Sequence, residues 1–288
     1  MLFPTQYQIY TFLYSLAITT VIYGAVAYAA VRAVPVSALA ESTSPLALVW
    51  QAAFADALGN EISTAAQIVL GLSVWLTYMA DRLFDVAKRR LQQLHSTRHQ
   101  FAKQHRNTLW RCWWCALLSN VGIALTGLSI NELRNGAALL TFCLLYTALN
   151  QALSRRFFPK ELCVAIIYTG GVIIFLLPSA SLGAPAGALA LLCLINCLMI
   201  GAKEQCIDAA LQVRSLSRLP SPLIHALEIS CALSLCLLNQ VWALPIGLSL
   251  GALLIIHAYQ KRLCIETFRV LTDSALLIGP SIALCLYF

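Results

Sequence analysis

Long apolar runs separated by short polar breaks fill nearly all of this 288-residue chain. A helix that crosses a bilayer needs about 20 mostly apolar residues, within a range of about 17–25. Nine stretches meet that length: residues 11–33, 62–82, 109–130, 135–153, 161–178, 185–203, 223–239, 241–258 and 270–287. One further segment, PLALVWQAAFADAL at 45–58, is too short to span comfortably and carries Asp56. It reads as an interfacial or re-entrant helix. The pattern therefore predicts an all-α polytopic membrane protein of about nine transmembrane helices, in a single domain over residues 1–288. No repeat of fixed period and no low-complexity segment interrupts it.

Composition agrees with the pattern. Hydrophobic residues make up 60% of the chain and charged residues 11%, with mean hydropathy +0.77. Soluble domains carry roughly 45–50% apolar and about 25% charged residues. The opening MLFPTQYQIYTFLY has neither a basic n-region nor a small-residue cleavage site, so no signal peptide is expected. The eleven cysteines lie scattered through apolar runs and read as small core hydrophobes rather than a disulfide framework. Cys112 and Cys115 have CxxC spacing but no second pair, so zinc is not expected there.

The net charge of +7 would suit nucleic acid, but its placement argues against that. With the N-terminus inside, every Lys and Arg except Arg32 and Arg134 falls in an internal loop or at its edge. That asymmetry follows the positive-inside rule and favours an odd number of spans, with the C-terminus outside. The basic face meets anionic lipid instead. Trp110, Trp113 and Trp114 open the third span on that face, as an aromatic belt does. The two longest internal loops, 83–108 and 204–222, are expected to cap the bundle.

The candidate chemistry lies beside those loops. Asp81 and Asp85 are four residues apart at the internal end of the second span. Glu204 and Asp208 repeat the spacing at the end of the sixth. Residues i and i+4 share one helix face, where like charges repel unless a cation intervenes. Single acidic pairs at helix ends are often only solvated; two matching pairs on one side favour a site. Carboxylates suit Mg²⁺, which takes one or two of them together with substrate phosphates and waters. Arg82 and Lys203 stand beside the pairs and suit phosphate oxygens. The ligand inferred is a diphosphate at the membrane surface with an apolar tail in the bundle.

These motifs resemble the UbiA superfamily of intramembrane prenyltransferases. TYMADRLFD, Thr77 to Asp85, aligns with the family's NDxxDxxxD, and KEQCID, Lys203 to Asp208, with its second aspartate-rich motif. The segment YTALNQALSRRFFPKELCVAIIYTGG, from Tyr146, is similar to the family's loop between spans four and five. The resemblance implies Mg²⁺-dependent transfer of an isoprenyl group from its diphosphate to a lipophilic acceptor, usually an electron-rich aromatic ring. It implies metal-side ligands at Asp81, Asp85, Glu204 and Asp208. It implies substrate contacts at Arg82 and Lys203, with Arg155, Arg156, Lys160 and Tyr146 as further ones. The family also implies a bacterial inner membrane with the site on the cytoplasmic face. Thr77 and Tyr78 stand where the family has Asn and Asp, Glu204 replaces Asp, Ala210 and Leu211 lie where its Gly-Asp ending falls, and Asn150 stands where it often has Lys.

Two rivals remain open. Those departures suit a lipid-binding or partner-binding scaffold on a decayed transferase frame. A transporter fits less well, because transporter sites lie near the midplane, often on broken helices. Among other residues, His95, His99 and His105 lie in the basic loop as a weak metal group, with solvation the ordinary reading. Glu228 and Asp273 either line the cavity or are solvated at helix ends. Asn120, Asn150 and Asn196 would bond between helices or face substrate, and Gly183–Gly187 and Gly247–Gly251 would allow close helix approach.

Overall fold

A computed structural model describes residues 44–87, 102–153, 158–205, 216 and 221–287. Among these the chain is all-helical, with no strand. The helices are α1 (Ser44–Ala57), α2 (Thr64–Ala87), α3 (Arg106–Gly127), α4 (Ile130–Leu153), α5 (Lys160–Ile173), α6 (Gly183–Lys203), α7 (Ser221–Ser234), α8 (Gln240–Ala258) and α9 (Ile265–Tyr287). A helix lies over every apolar run expected within the described residues; the run at 11–33 lies outside them. Three segments, Ala180–Lys203, Gln240–Ala258 and Thr267–Leu286, are long and apolar enough to cross a membrane. The nine-span count expected above is therefore matched at three positions among the described residues.

The described residues divide into two compact units: 44–48 with 63–87 and 102–129, and 49–62 with 130–153, 158–205, 216 and 221–287. Within the first, α2 packs on α3. Two polar contacts fix their register, Trp113 Nε1 donating to the Leu76 carbonyl (2.9 Å) and Asn120 Nδ2 to Ser73 Oγ (2.9 Å). Phe84, Trp110, Trp113 and Trp114 form a chain of edge-to-face rings along the same seam. On α3, Trp114, Leu118, Val121 and Leu125 recur at helical spacing and are exposed. The CxxC pair, Cys112 and Cys115, is exposed and free.

In the second unit α6 is the hub: α5, α7, α8 and α9 all pack against it. The reason is in its sequence, GAPAGALALLCLINCLMIGAK, which is apolar all round. Leu189, Leu192, Ile195 and Met199 are fully buried. Asn239 caps α8 by accepting from the Trp242 amide (3.3 Å), the usual service of an asparagine at that position.

Prolines decide how α8 and α9 meet. Pro280 lies inside α9 and has no N–H to give the Leu276 carbonyl one turn earlier. Ser249 of α8 donates its hydroxyl to that carbonyl (3.4 Å) and accepts the Gly279 amide (3.2 Å). A freed backbone group inside a bundle needs such a partner. The contact requires near-touching backbones, and Gly279 supplies the room. The glycine pairs singled out from the sequence do not behave this way. Among the described residues nothing lies within 4 Å of a Cβ placed at Gly183, Gly187 or Gly251, and Gly247 makes only an ordinary contact with Leu235. Four-residue glycine spacing is common in apolar sequence; closeness depends on which face meets a neighbour.

The short segment at 45–58 is helical, as α1, and most of one face is buried. Phe54 stands against Trp242 with ring centroids 4.7 Å apart. Asp56, in the last turn, has its carboxyl pushed above the ordinary 3.8 by burial. A raised folded-state value means the neutral acid is favoured in the fold. Its stabilisation is complete below the unfolded value and is lost as pH rises through the folded one. Thermal melts across a pH series should therefore show stability falling as pH climbs through the window above 3.8. Asp56→Asn should flatten that fall and raise the melting temperature at neutral pH; an unchanged profile would refute the assignment.

Candidate functional site

The first acidic motif sits on the last turns of α2. Asp81 is half-buried there. Arg82 lies one turn beyond Tyr78, donates to its hydroxyl, and sets its guanidinium carbon 4.7 Å from the ring centroid. So Tyr78, standing where the resemblance expects an aspartate, holds the arginine by stacking and one hydrogen bond. Thr77 Oγ1 turns back to the Ser73 carbonyl (2.9 Å). The helix end is closed by Lys103, whose ammonium reaches the Val86 (2.9 Å) and Ala87 (3.3 Å) carbonyls. A cation there satisfies orphan carbonyls and meets the negative end of the helix dipole.

The second motif begins at the end of α6, where Glu204 is the C-terminal cap. Its Oε1 receives Arg269 Nε of α9 at 2.7 Å, and both side chains are largely buried. Lys203 donates to the Gln260 carbonyl (2.6 Å) and lies 5.7 Å from the Phe268 ring centroid. One turn deeper than Arg269, Asp273 accepts from Asn196 Nδ2 (3.1 Å), which joins α6 to α9 by a second polar bond. The end of α6 thus places a carboxylate, an ammonium and a guanidinium together at the edge of an apolar bundle.

Lys160 opens α5. Tyr146 tilts against Phe158, with centroids 5.9 Å apart. Arg155, Arg156, Asp208, His95 and His99 fall outside the described residues, as does most of both capping loops. Asn120 and Asn196 make the interhelical bonds that were their ordinary reading.

Some site residues escaped the sequence reading. Arg269 was counted only as an internal cation; its partner is 65 positions away in the chain. Glu228 is not solvated at a helix end but 6% exposed, between His225 and His257. His225 and Glu228 are three residues apart on α7, a spacing that could have flagged them, whereas His257 comes from α8.

No protein-family model, no curated protein and no solved structure matches this chain.

Proposed function

We propose that this chain is a Mg²⁺-dependent intramembrane transferase of UbiA type, built on the nine-span plan, moving an isoprenyl group from its diphosphate to a lipophilic acceptor. The charged cluster at the end of α6 carries the reading. Glu204, Arg269 and Lys203 stand together where the most apolar of the three candidate spans ends. Ionisable residues at such a position favour function over decoration. The exposed apolar stripe of α3 supports a lipid surround.

The carboxylates singled out by the sequence suit such a metal by type. Asp81, Asp85, Glu204 and Asp208 offer hard oxygens, and Mg²⁺ would supply positive charge against the leaving diphosphate. The chain's own cations do the rest. Arg269 presents a planar fork suited to phosphate oxygens, and taking it up would release Glu204 from its ion pair. Arg82 and Lys203 would add charge. In the transfer, the allylic C–O bond breaks and diphosphate leaves. The carbon then bonds the acceptor, which loses a proton. A tail in the bundle would position that carbon. In the proposed orientation the N-terminus and the site are cytoplasmic and the C-terminus is outside, in a bacterial inner membrane.

One observation favours the rival scaffold. Lys203 and Glu204 are already engaged, by a backbone carbonyl and by Arg269. Binding of labelled isoprenyl diphosphate to the detergent-purified chain separates the two. Transfer predicts binding that needs Mg²⁺, weakens at least ~10-fold in Asp85→Asn, and ends in free diphosphate once acceptors are added. Mg²⁺-dependent binding without release identifies the scaffold. No Mg²⁺-dependent binding overturns the metal site.

A further inference from the structure

Away from the acidic motifs, α7 and α8 bring three side chains to one point. Glu228 Oε2 lies 2.9 Å from His225 Nδ1, and Glu228 Oε1 lies 2.5 Å from His257 Nδ1. The two imidazoles stack with centroids 5.0 Å apart and planes 21° from parallel. Donor atoms of all three residues lie within 4.8 Å of one another. Glu228 and His257 are buried, whereas His225 is 62% exposed. Among the described residues the ion-pair partners of Glu228 are these two imidazoles, with no Lys or Arg on its carboxylate. A buried carboxylate needs positive charge beside it.

We propose that His225, Glu228 and His257 form a binding site for a divalent transition metal of the Zn²⁺ class. Two imidazole nitrogens and one carboxylate oxygen, with a fourth position left open, is a donor set Zn²⁺ takes. Mg²⁺ prefers an all-oxygen shell, so this site differs in chemistry from the acidic helix ends. The architecture is also suitable. Two ligands sit one turn apart on one helix and the third on its neighbour, as in metal sites of helix bundles. Bonds of about 2.0–2.1 Å in a tetrahedron place neighbouring donors roughly 3.3 Å apart. The donor atoms now lie within 4.8 Å of one another, with 2.9 Å from Glu228 Oε2 to His225 and 2.5 Å from Oε1 to His257, so each pair is within about 1.5 Å of that separation. His225, at the surface, marks the entry path. The bound ion would tie α7 to α8 and leave a coordination position facing solvent.

The test uses the full chain in detergent, tag removed and chelator-treated, titrated with Co²⁺ and then Zn²⁺. The expected result is one equivalent bound, tetrahedral Co²⁺ absorption bands displaced by Zn²⁺, and a melting temperature raised by Zn²⁺. Affinity should fall at least ~10-fold in Glu228→Gln and in His225→Ala. His225→Ala is the decisive variant, because an exposed side chain can be removed without opening the core. No stoichiometric binding, or binding equal in wild type and His225→Ala, overturns the site. So does binding lost in a His95→Ala/His99→Ala double variant but kept in His225→Ala, which would move the metal to the basic segment. The readouts are independent of prenyl transfer.

Discussion

Gly279→Ala is expected to lower the melting temperature in mild detergent by about 6–12 °C or more. A Cβ at this position would lie 1.8 Å from the Pro245 carbonyl oxygen, 2.7 Å from its carbon and 2.5 Å from Ser249 Oγ. Carbon and oxygen approach to about 3.3 Å even in close helix contacts. The α8 and α9 backbones would have to part by more than ~1 Å, since neither obstacle at Pro245 is a side chain that can swing aside. Overpacking costs typically 1–3 kcal/mol, and more where the neighbours cannot yield. A cost of about 3 kcal/mol corresponds to the stated range for a chain of this size. Parting the helices also strands the Leu276 carbonyl, which Pro280 cannot serve and Ser249 does. Adding Ser249→Ala should not rescue the variant, because the Pro245 carbonyl still blocks. A melting temperature within a degree or two of wild type would show that the helices do not approach in this way.

Arg269→Met is expected to cost about 3 kcal/mol, at the lower end of the range for breaking a buried pair. The substitution leaves Glu204 largely buried (18% exposed) without the guanidinium 2.7 Å away. Glu204→Gln/Arg269→Met should recover most of the loss, because removing both charges also removes the uncompensated one. Arg269→Lys should recover only part, since an ammonium cannot reproduce the planar fork. The check is a double-variant cycle on melting temperature. A single-variant loss below about 0.5 kcal/mol would mean the pair is effectively solvated and contributes like a surface bridge.

Much of the helical frame was legible in the chain. Apolar runs near 20 residues report helices directly, because a segment this greasy has to satisfy its backbone internally. Hence α2 to α9 lie over the expected stretches, and even the short segment at 45–58 is a helix. Interhelical roles for Asn120 and Asn196 were legible for the same reason: a polar side chain in an apolar run has few places to go. Close approach was not legible. Gly183–Gly187 and Gly247–Gly251 carry the expected spacing and make no tight contact, while Gly279, unremarked in the sequence, meets a backbone. Spacing along one helix does not say which face another helix will meet.

The sequence by itself determined that the chain is helical and apolar, that Asp81, Asp85 and Glu204 fall at helix ends, and that Arg82 and Lys203 stand beside them. These are local properties, set by composition and by the 3.6-residue period. Only the tertiary structure decided the partners. It gave Glu204 to Arg269, Lys203 to the Gln260 carbonyl, Asp273 to Asn196, and Glu228 to two histidines on adjacent helices. The physical reason is that burying a charge is costly wherever it occurs, so each buried carboxylate is met by some donor. Which donor meets it depends on how α6 to α9 cross, and that crossing is written in the packing of all of them together.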